Sequence, residues 1–169
     1  MKRIVLQVAA LLLAVAVQAQ EPHRKVDNVT LKSLDGKETL LPDWGEKHLL
    51  IFYIDPDRHK QNEDFTYELE ENGRAKSDRI TAFGILNLKD TWLPNATVRS
   101  MARKRTAKNG ALVLADQERA LQTAWGLGKC NNLFVLLFVT KEGEIVFERK
   151  GELTEADKEA FYKVLDQYR

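Results

Sequence analysis

The 169-residue chain holds one cysteine, Cys130, which excludes an internal disulfide, a two-cysteine redox pair and a cysteine-rich zinc site. Proline and glycine are sparse too, at four and nine residues, and neither gathers into a low-complexity run. That composition argues against a disordered or fibrous chain. Charge of one sign is also missing, since 26 lysines and arginines face 25 aspartates and glutamates. A net charge of +1 excludes the strongly basic balance of a nucleic-acid-binding or membrane-surface protein. What remains is enough chain for one globular domain with a substantial core, and too little for two.

The first residues read as an address. Met1-Lys2-Arg3 is a short basic start, and residues 4–17 are apolar except for Gln7. Val17-Gln18-Ala19 then offers modest side chains where a signal peptidase reads, before polar Gln20-Glu21-Pro22. This three-part pattern predicts a secretory signal peptide over residues 1–19. The apolar stretch falls short of the roughly 20 residues that span a bilayer. No cysteine lies near the cut for lipid attachment, so the chain from residue 20 onward is expected to be soluble, exported and periplasmic or otherwise secreted. Removing Lys2 and Arg3 with the leader takes the net charge from +1 to −1.

Along residues 20–169, apolar runs alternate with helical patterns. Val29-Thr30-Leu31 and residues 38–41 flank Asp35-Gly36, a hairpin-turn dipeptide. Residues 49–54 form a continuous apolar run that stops at Asp55-Pro56, as a strand buried on both faces would. Phe65 and Leu69 predict a short amphipathic helix over 62–72, closed near Gly73. Residues 80–88 read as a second inner strand, and Pro94-Asn95 opens a helix with Val98, Met101 and Ala102 facing inward. Residues 112–114 form a short strand leading to Asp116, a candidate N-cap. Ala120, Leu121, Ala124 and Trp125 supply the next inward face, with Gly126 as its stop. Residues 133–139 and 144–149 are strands joined at Lys141-Glu142-Gly143. A capping box at residues 154–157 opens the last helix, whose apolar face comprises Ala156, Ala160, Phe161, Val164, Leu165 and Tyr168. Strand–helix–strand units imply parallel neighbours, and the late hairpin adds antiparallel strands.

Several segments carry a family resemblance: Val29-Thr30-Leu31 to Asp35-Gly36-Lys37, residues 50–55, and Leu114-Ala115-Asp116 followed by Ala124-Trp125-Gly126-Leu127. Thr140-Lys141-Glu142-Gly143-Glu144-Ile145-Val146 and then Gly151-Glu152-Leu153-Thr154 complete the set. In that order they resemble the thioredoxin superfamily, in the longer exported form related to peroxiredoxins and TlpA-like thiol oxidoreductases. The resemblance implies an α/β fold: a thioredoxin-like mixed β-sheet flanked by helices on both faces, with an N-terminal β-hairpin extension, over residues 20–169. It also implies a thiolate where the first inner strand meets its helix, stabilised by the helix dipole. This chain departs from the family there. Residues 55–62 read Asp-Pro-Asp-Arg-His-Lys-Gln-Asn with no cysteine, and residues 131–134 lack the proline that usually precedes the late hairpin. The dithiol activity is therefore not carried over, and the chain is similar to YtfJ-type exported proteins, whose domain also lacks the CxxC motif.

The expected function is peptide or protein binding in the cell envelope, in the crevice between the 55–62 and 129–132 loops. Asp55, Asp57, His59, Asn131 and Asn132 are the binding candidates. The competing reading is a single-cysteine thiol peroxidase or thiol transferase, with Cys130 as nucleophile and His59 as its activating imidazole. Asp55, Asp57 and His59 alternate through one loop but lack an established metal-ligand spacing, so no metal is expected, and no cofactor. Arg99, Arg103, Lys104, Arg105 and Lys108 mark a basic helix segment that reads as a solvated outer face. Asn28 and Asn95 stand in glycosylation sequons, relevant only to a eukaryotic secretory pathway. The protein is expected to be a monomer or weak oligomer, without nucleic-acid partners and without stable membrane insertion after cleavage.

Overall fold

The structure, a computed structural model, describes residues 23–169; the signal peptide expected at 1–19 lies outside the described residues. Two apolar runs make the centre of the sheet. β4 (His48–Ile54) and β7 (Phe134–Val139) pair antiparallel, and every residue of β7 is buried, as a strand covered on both faces requires. On the other side of β4, β5 (Ile80–Asn87) and then β6 (Val113–Asp116) continue in parallel. The hairpin β2 (Thr30–Ser33) and β3 (Glu38–Leu40) extends that edge, while β8 (Glu144–Lys150) and the short β1 (Arg24–Lys25) complete the other. The order is β1-β8-β7-β4-β5-β6-β2-β3, one mixed sheet of eight strands. Gly143 turns the β7–β8 hairpin at φ 78°, and a Cβ there would lie 2.8 Å from the Val26 carbonyl, so only glycine fits beside the incoming β1 segment.

The parallel steps dictate where the helices go. α1 (Glu63–Glu71) links β4 to β5, and α2 (Asn95–Asn109) links β5 to β6. α1 and α4 (Glu155–Tyr168) bury Phe65, Leu69, Phe161 and Leu165 against Leu50, Phe134 and Phe138. α3 (Ala120–Ala124) and Trp125 cover the opposite face, packing on Leu49, Ile51, Tyr53 and Ile85. Helices thus lie on both faces, as expected. α4 starts from the expected capping box: the Thr154 side chain accepts from the Asp157 N–H, and the Asp157 carboxylate accepts from the Thr154 N–H.

Four details correct the sequence reading. Met101 is 61% exposed rather than inward, because α2 touches the sheet through Val98 over Ala115 and Leu88 and turns Met101 to its flank. Ala124 is exposed because α3 is a five-residue turn that ends before it can bury a second row. Ala156 is exposed because the first turn of α4 projects past its packing partners. Asp116 caps α3 from a distance: Arg119 occupies the N-cap in the left-handed region, at φ 58°, and the Asp116 carboxylate accepts from the N–H groups of Ala120 and Leu121.

Truncating Phe161 to alanine removes a ring packed on Phe65 and Phe147, at an expected cost of about 3–5 kcal/mol. Thr154→Ala, which removes one cap, should cost about 1 kcal/mol. Urea unfolding midpoints test the pair, and similar losses at both positions would contradict this packing.

Candidate functional site

The site is built where β4 ends. Asp55 leaves the strand extended and N-caps a single 3₁₀ turn (Pro56–Arg58), its Oδ1 accepting from the Asp57 N–H at 2.9 Å. Its Oδ2 accepts from the Asn132 N–H at 2.7 Å, and its own N–H donates to the Leu133 carbonyl at 3.1 Å. The 55–62 and 129–133 segments are therefore joined. Gln61 adds a bond from the Phe134 N–H to its Oε1, and Asn62 bridges Gly151 and Leu153 with both ends of its amide.

The sequence-predicted residues divide sharply. Asp55 is fully buried, so its carboxylate serves the joint and is closed to solvent. Asp57 is half-buried and holds the next loop, accepting from the Thr91 hydroxyl at 2.9 Å and the Trp92 N–H at 3.4 Å. His59 is exposed, with Nδ1 3.0 Å from the Pro56 carbonyl. Asn131 is half-buried and Asn132 exposed, the latter at φ 57°. Arg58, His59 and Lys60 border an open depression of about 550 Å³ that is closed on its far side by Glu152, Leu153 and Lys158.

Cys130 lies in the core on the α3 side, fully buried. Its Sγ approaches the Gly128 carbonyl at 3.7 Å, and no hydrogen bond joins it to His59. Burial pushes the thiol up to about 11; Lys150 pulls the other way, while Glu148, Asp90 and Asp116 add to the rise. The environment is the reverse of one that activates a thiolate.

Sequence reasoning missed a second polar group at the same end of the sheet. Asn87 and Asp116 are register partners at the ends of β5 and β6, and both are buried. The Tyr53 hydroxyl donates to Asp116 Oδ2 at 3.2 Å, and burial followed by the Asp116 charge raises its pKa far above the ordinary phenol range. Asn87 donates to Asp90 Oδ2 at 2.6 Å, and Arg119 grips Asp90 Oδ1 with Nε and a terminal nitrogen. Burial works against the Asp90 carboxylate, but hydrogen bonds from Arg119 and Asn87 hold its pKa below the usual value. The available signal was the polar residue closing each of two adjacent apolar runs. Among the described residues, no group of three or more metal-ligating side chains is arranged to hold an ion, and no helix is long and apolar enough to cross a membrane.

Comparison with solved structures identifies the architecture. The chain is similar to the pneumococcal exposed lipoprotein thioredoxin from Streptococcus pneumoniae, with 19% identity, 83% of this chain and 99% of that one covered, and a TM-score of 0.59. A DsbF homologue from Corynebacterium diphtheriae matches at 14% identity over 86% of this chain and 87% of its own, with a TM-score of 0.61. A thiol:disulfide interchange protein DsbE from Chlorobium tepidum matches at 14% identity, covering 86% and 96%, with a TM-score of 0.56. No protein-family model matches the chain, and no curated protein does. The fold is thioredoxin-like.

With a thiol pKa of about 11, roughly one Cys130 in ten thousand is ionised at pH 7. Labelling of the folded protein should therefore be slow from pH 5 to 9, follow the rate of unfolding, and be unchanged in His59→Ala. The unfolded thiol ionises about two pH units earlier, so stability should fall as pH rises from about 9 towards 11. Tyr53 acts in the same direction at higher pH. Fast labelling at low pH that disappears in His59→Ala would contradict this account.

Proposed function

We propose that the protein is an exported cell-envelope component that binds a peptide or protein segment on the 57–62 and 131–132 surface, without thiol-disulfide chemistry. The observation that carries this reading is the separation of the chain's one thiol from the exposed loop. Residues 55–62 contain no cysteine, and Cys130 is buried with its pKa raised. Neighbours described as a thioredoxin and a thiol:disulfide interchange protein have the same fold. Dithiol exchange needs a second thiol that this chain does not possess. What it retains is a polar platform: Arg58, His59 and Lys60 beside the depression, and Asn132 across the joint. Asp55 and Asp57 hold the platform in place rather than contact the ligand. Backbone-rich ligands suit amide and imidazole side chains, which offer both donors and acceptors. The likeness to YtfJ-type exported proteins belongs to this reading.

Titration with a reduced, alkylated polypeptide that carries no disulfide tests it, read by amide chemical shifts. Shifts are expected at residues 58–62 and 131–132, with affinity falling at least about tenfold, or 1.4 kcal/mol, in a combined His59→Ala and Asn131→Ala variant. Turnover of a disulfide or hydroperoxide by the wild type, lost in Cys130→Ser, would replace the binding reading with a single-cysteine enzyme.

Export has its own test. Expressed in a bacterial host, the protein should be recovered outside the cytoplasm with Gln20 as its first residue by mass spectrometry, and an intact Met1 terminus on exported protein would refute cleavage.

A further inference from the structure

α1 and α2 both start at the site end of the sheet and lie on the same face, yet they leave a bare strip between them. Its floor is the central strand β5, where Ala82 is exposed and Gly84 half-buried, although β4 and β6 pair on both sides. The lower end of the strip opens into a depression of about 550 Å³ lined by Ala75, Lys76, Ser77, Asp78, Ile80 and Ala82. Its banks carry Tyr67 at 49% exposure and Met101 at 61%, and Trp92 stands at its upper end at 80%. These are three of the five large apolar side chains exposed among the described residues.

The banks are oppositely charged. α1 carries Glu63, Asp64, Glu68, Glu70 and Glu71 and no base, whereas α2 carries Arg99, Arg103, Lys104, Arg105 and Lys108 and no acid. Spacings of three and four residues place Glu63, Tyr67, Glu70 and Glu71 along one stripe of α1, and Met101, Lys104, Arg105 and Lys108 along one stripe of α2. That these stripes face each other is shown by Arg105, 3.9 Å from Glu63, whose Oε1 also accepts from the Tyr67 hydroxyl. Glu70, Glu71, Lys104 and Lys108 are exposed and make no ion pair within the described residues.

A surface that complements this face must offer a basic bank opposite α1 and an acidic bank opposite α2. The face itself does so when turned by a half-rotation about an axis running along the strip. We propose that the protein forms a two-fold dimer through this face, with the acidic helix of each copy lying on the basic helix of the other and Tyr67 and Met101 within the contact. Isologous pairing of this kind requires self-complementarity, and a net charge of +1, or −1 once Lys2 and Arg3 are removed, leaves little overall repulsion between copies. Helices of 9 and 15 residues are about 14 and 23 Å long, which sizes the contact for the small, reversible class of interfaces.

Sedimentation velocity over a range of protein concentration reads the dimer directly. Wild-type protein should dimerise at low salt and dissociate as salt screens the banks. The charge-reversed variants E70K/E71K and K104E/K108E should each be monomeric and folded by circular dichroism. Mixed in equal amounts they should dimerise again, because each then presents the other with opposite charge on both banks. A wild-type protein that stays monomeric at every concentration overturns the proposal. So does a dimer that persists in both single variants, which would place the contact elsewhere, or an equal mixture that stays monomeric.

Discussion

Asp55 sits at the end of β4 with one carboxylate oxygen on the Asp57 N–H and the other on the Asn132 N–H, inside the protein and away from water. Hydrogen bonds to a charged acceptor contribute about 1.5–3 kcal/mol each, and a buried donor left without one costs a comparable amount. The same residue ends the strand, starts the 3₁₀ turn and fastens the segment that leads into β7. Gln61 and Asn62 repeat the device, tying the start of α1 to Phe134, Gly151 and Leu153. The loop that carries Arg58, His59 and Lys60 is therefore a fixed platform. Its exposed side chains are presented by a frame whose own polar groups are already occupied.

A parallel arrangement organises the neighbouring strand ends. Asn87 and Asp116 close β5 and β6 side by side; Asp116 caps α3 and accepts from Tyr53, and Asn87 holds Asp90 against Arg119. The carboxyl ends of parallel strands are where open α/β sheets form their crevices. Here they form a buried polar layer beneath the loop that bears Trp92. Cys130 shares this region, and desolvation is the first cause of the raised pKa of both its thiol and the Tyr53 phenol. In this thioredoxin-like frame the one thiol is internal and the exposed 57–62 loop is polar.

The two helices on the crossover side differ in how they are held. α1 is anchored by Phe65 and Leu69 and cross-braced to α4 through Glu68, Asn72 and Tyr162. α2 is attached mainly by Val98, by the Arg103 bond to the Leu34 carbonyl and by the ion pairs of Arg103 and Arg105. Val98 packs over Leu88 and Ala115, and the flank of α2 that carries Met101 faces outward.

Element order, the mixed sheet and the α4 capping box were legible in the sequence because each rests on a local signal. Continuous apolar runs at 49–54 and 134–139 require burial on both faces, Pro56 ends a strand, and Thr154 with Asp157 satisfies a helix start by itself. The absence of cysteine from residues 55–62 is equally a property of the sequence, and it alone removes a dithiol centre from that loop. Burial is different, because it depends on what arrives from elsewhere in the chain. Asp55 and Asp57 look alike as loop carboxylates, but Asn132, 75 or more residues away, reaches only the first, and Thr91 only the second. Met101 has the spacing of a core residue and lies outside because α2 meets the sheet through Val98, over Leu88 and Ala115. Local pattern determined the fold and the absence of a second thiol; which carboxylates are buried in the frame, how deeply the one thiol lies and which helix face stays open were decided by contacts between distant segments, where desolvation and pairing are set.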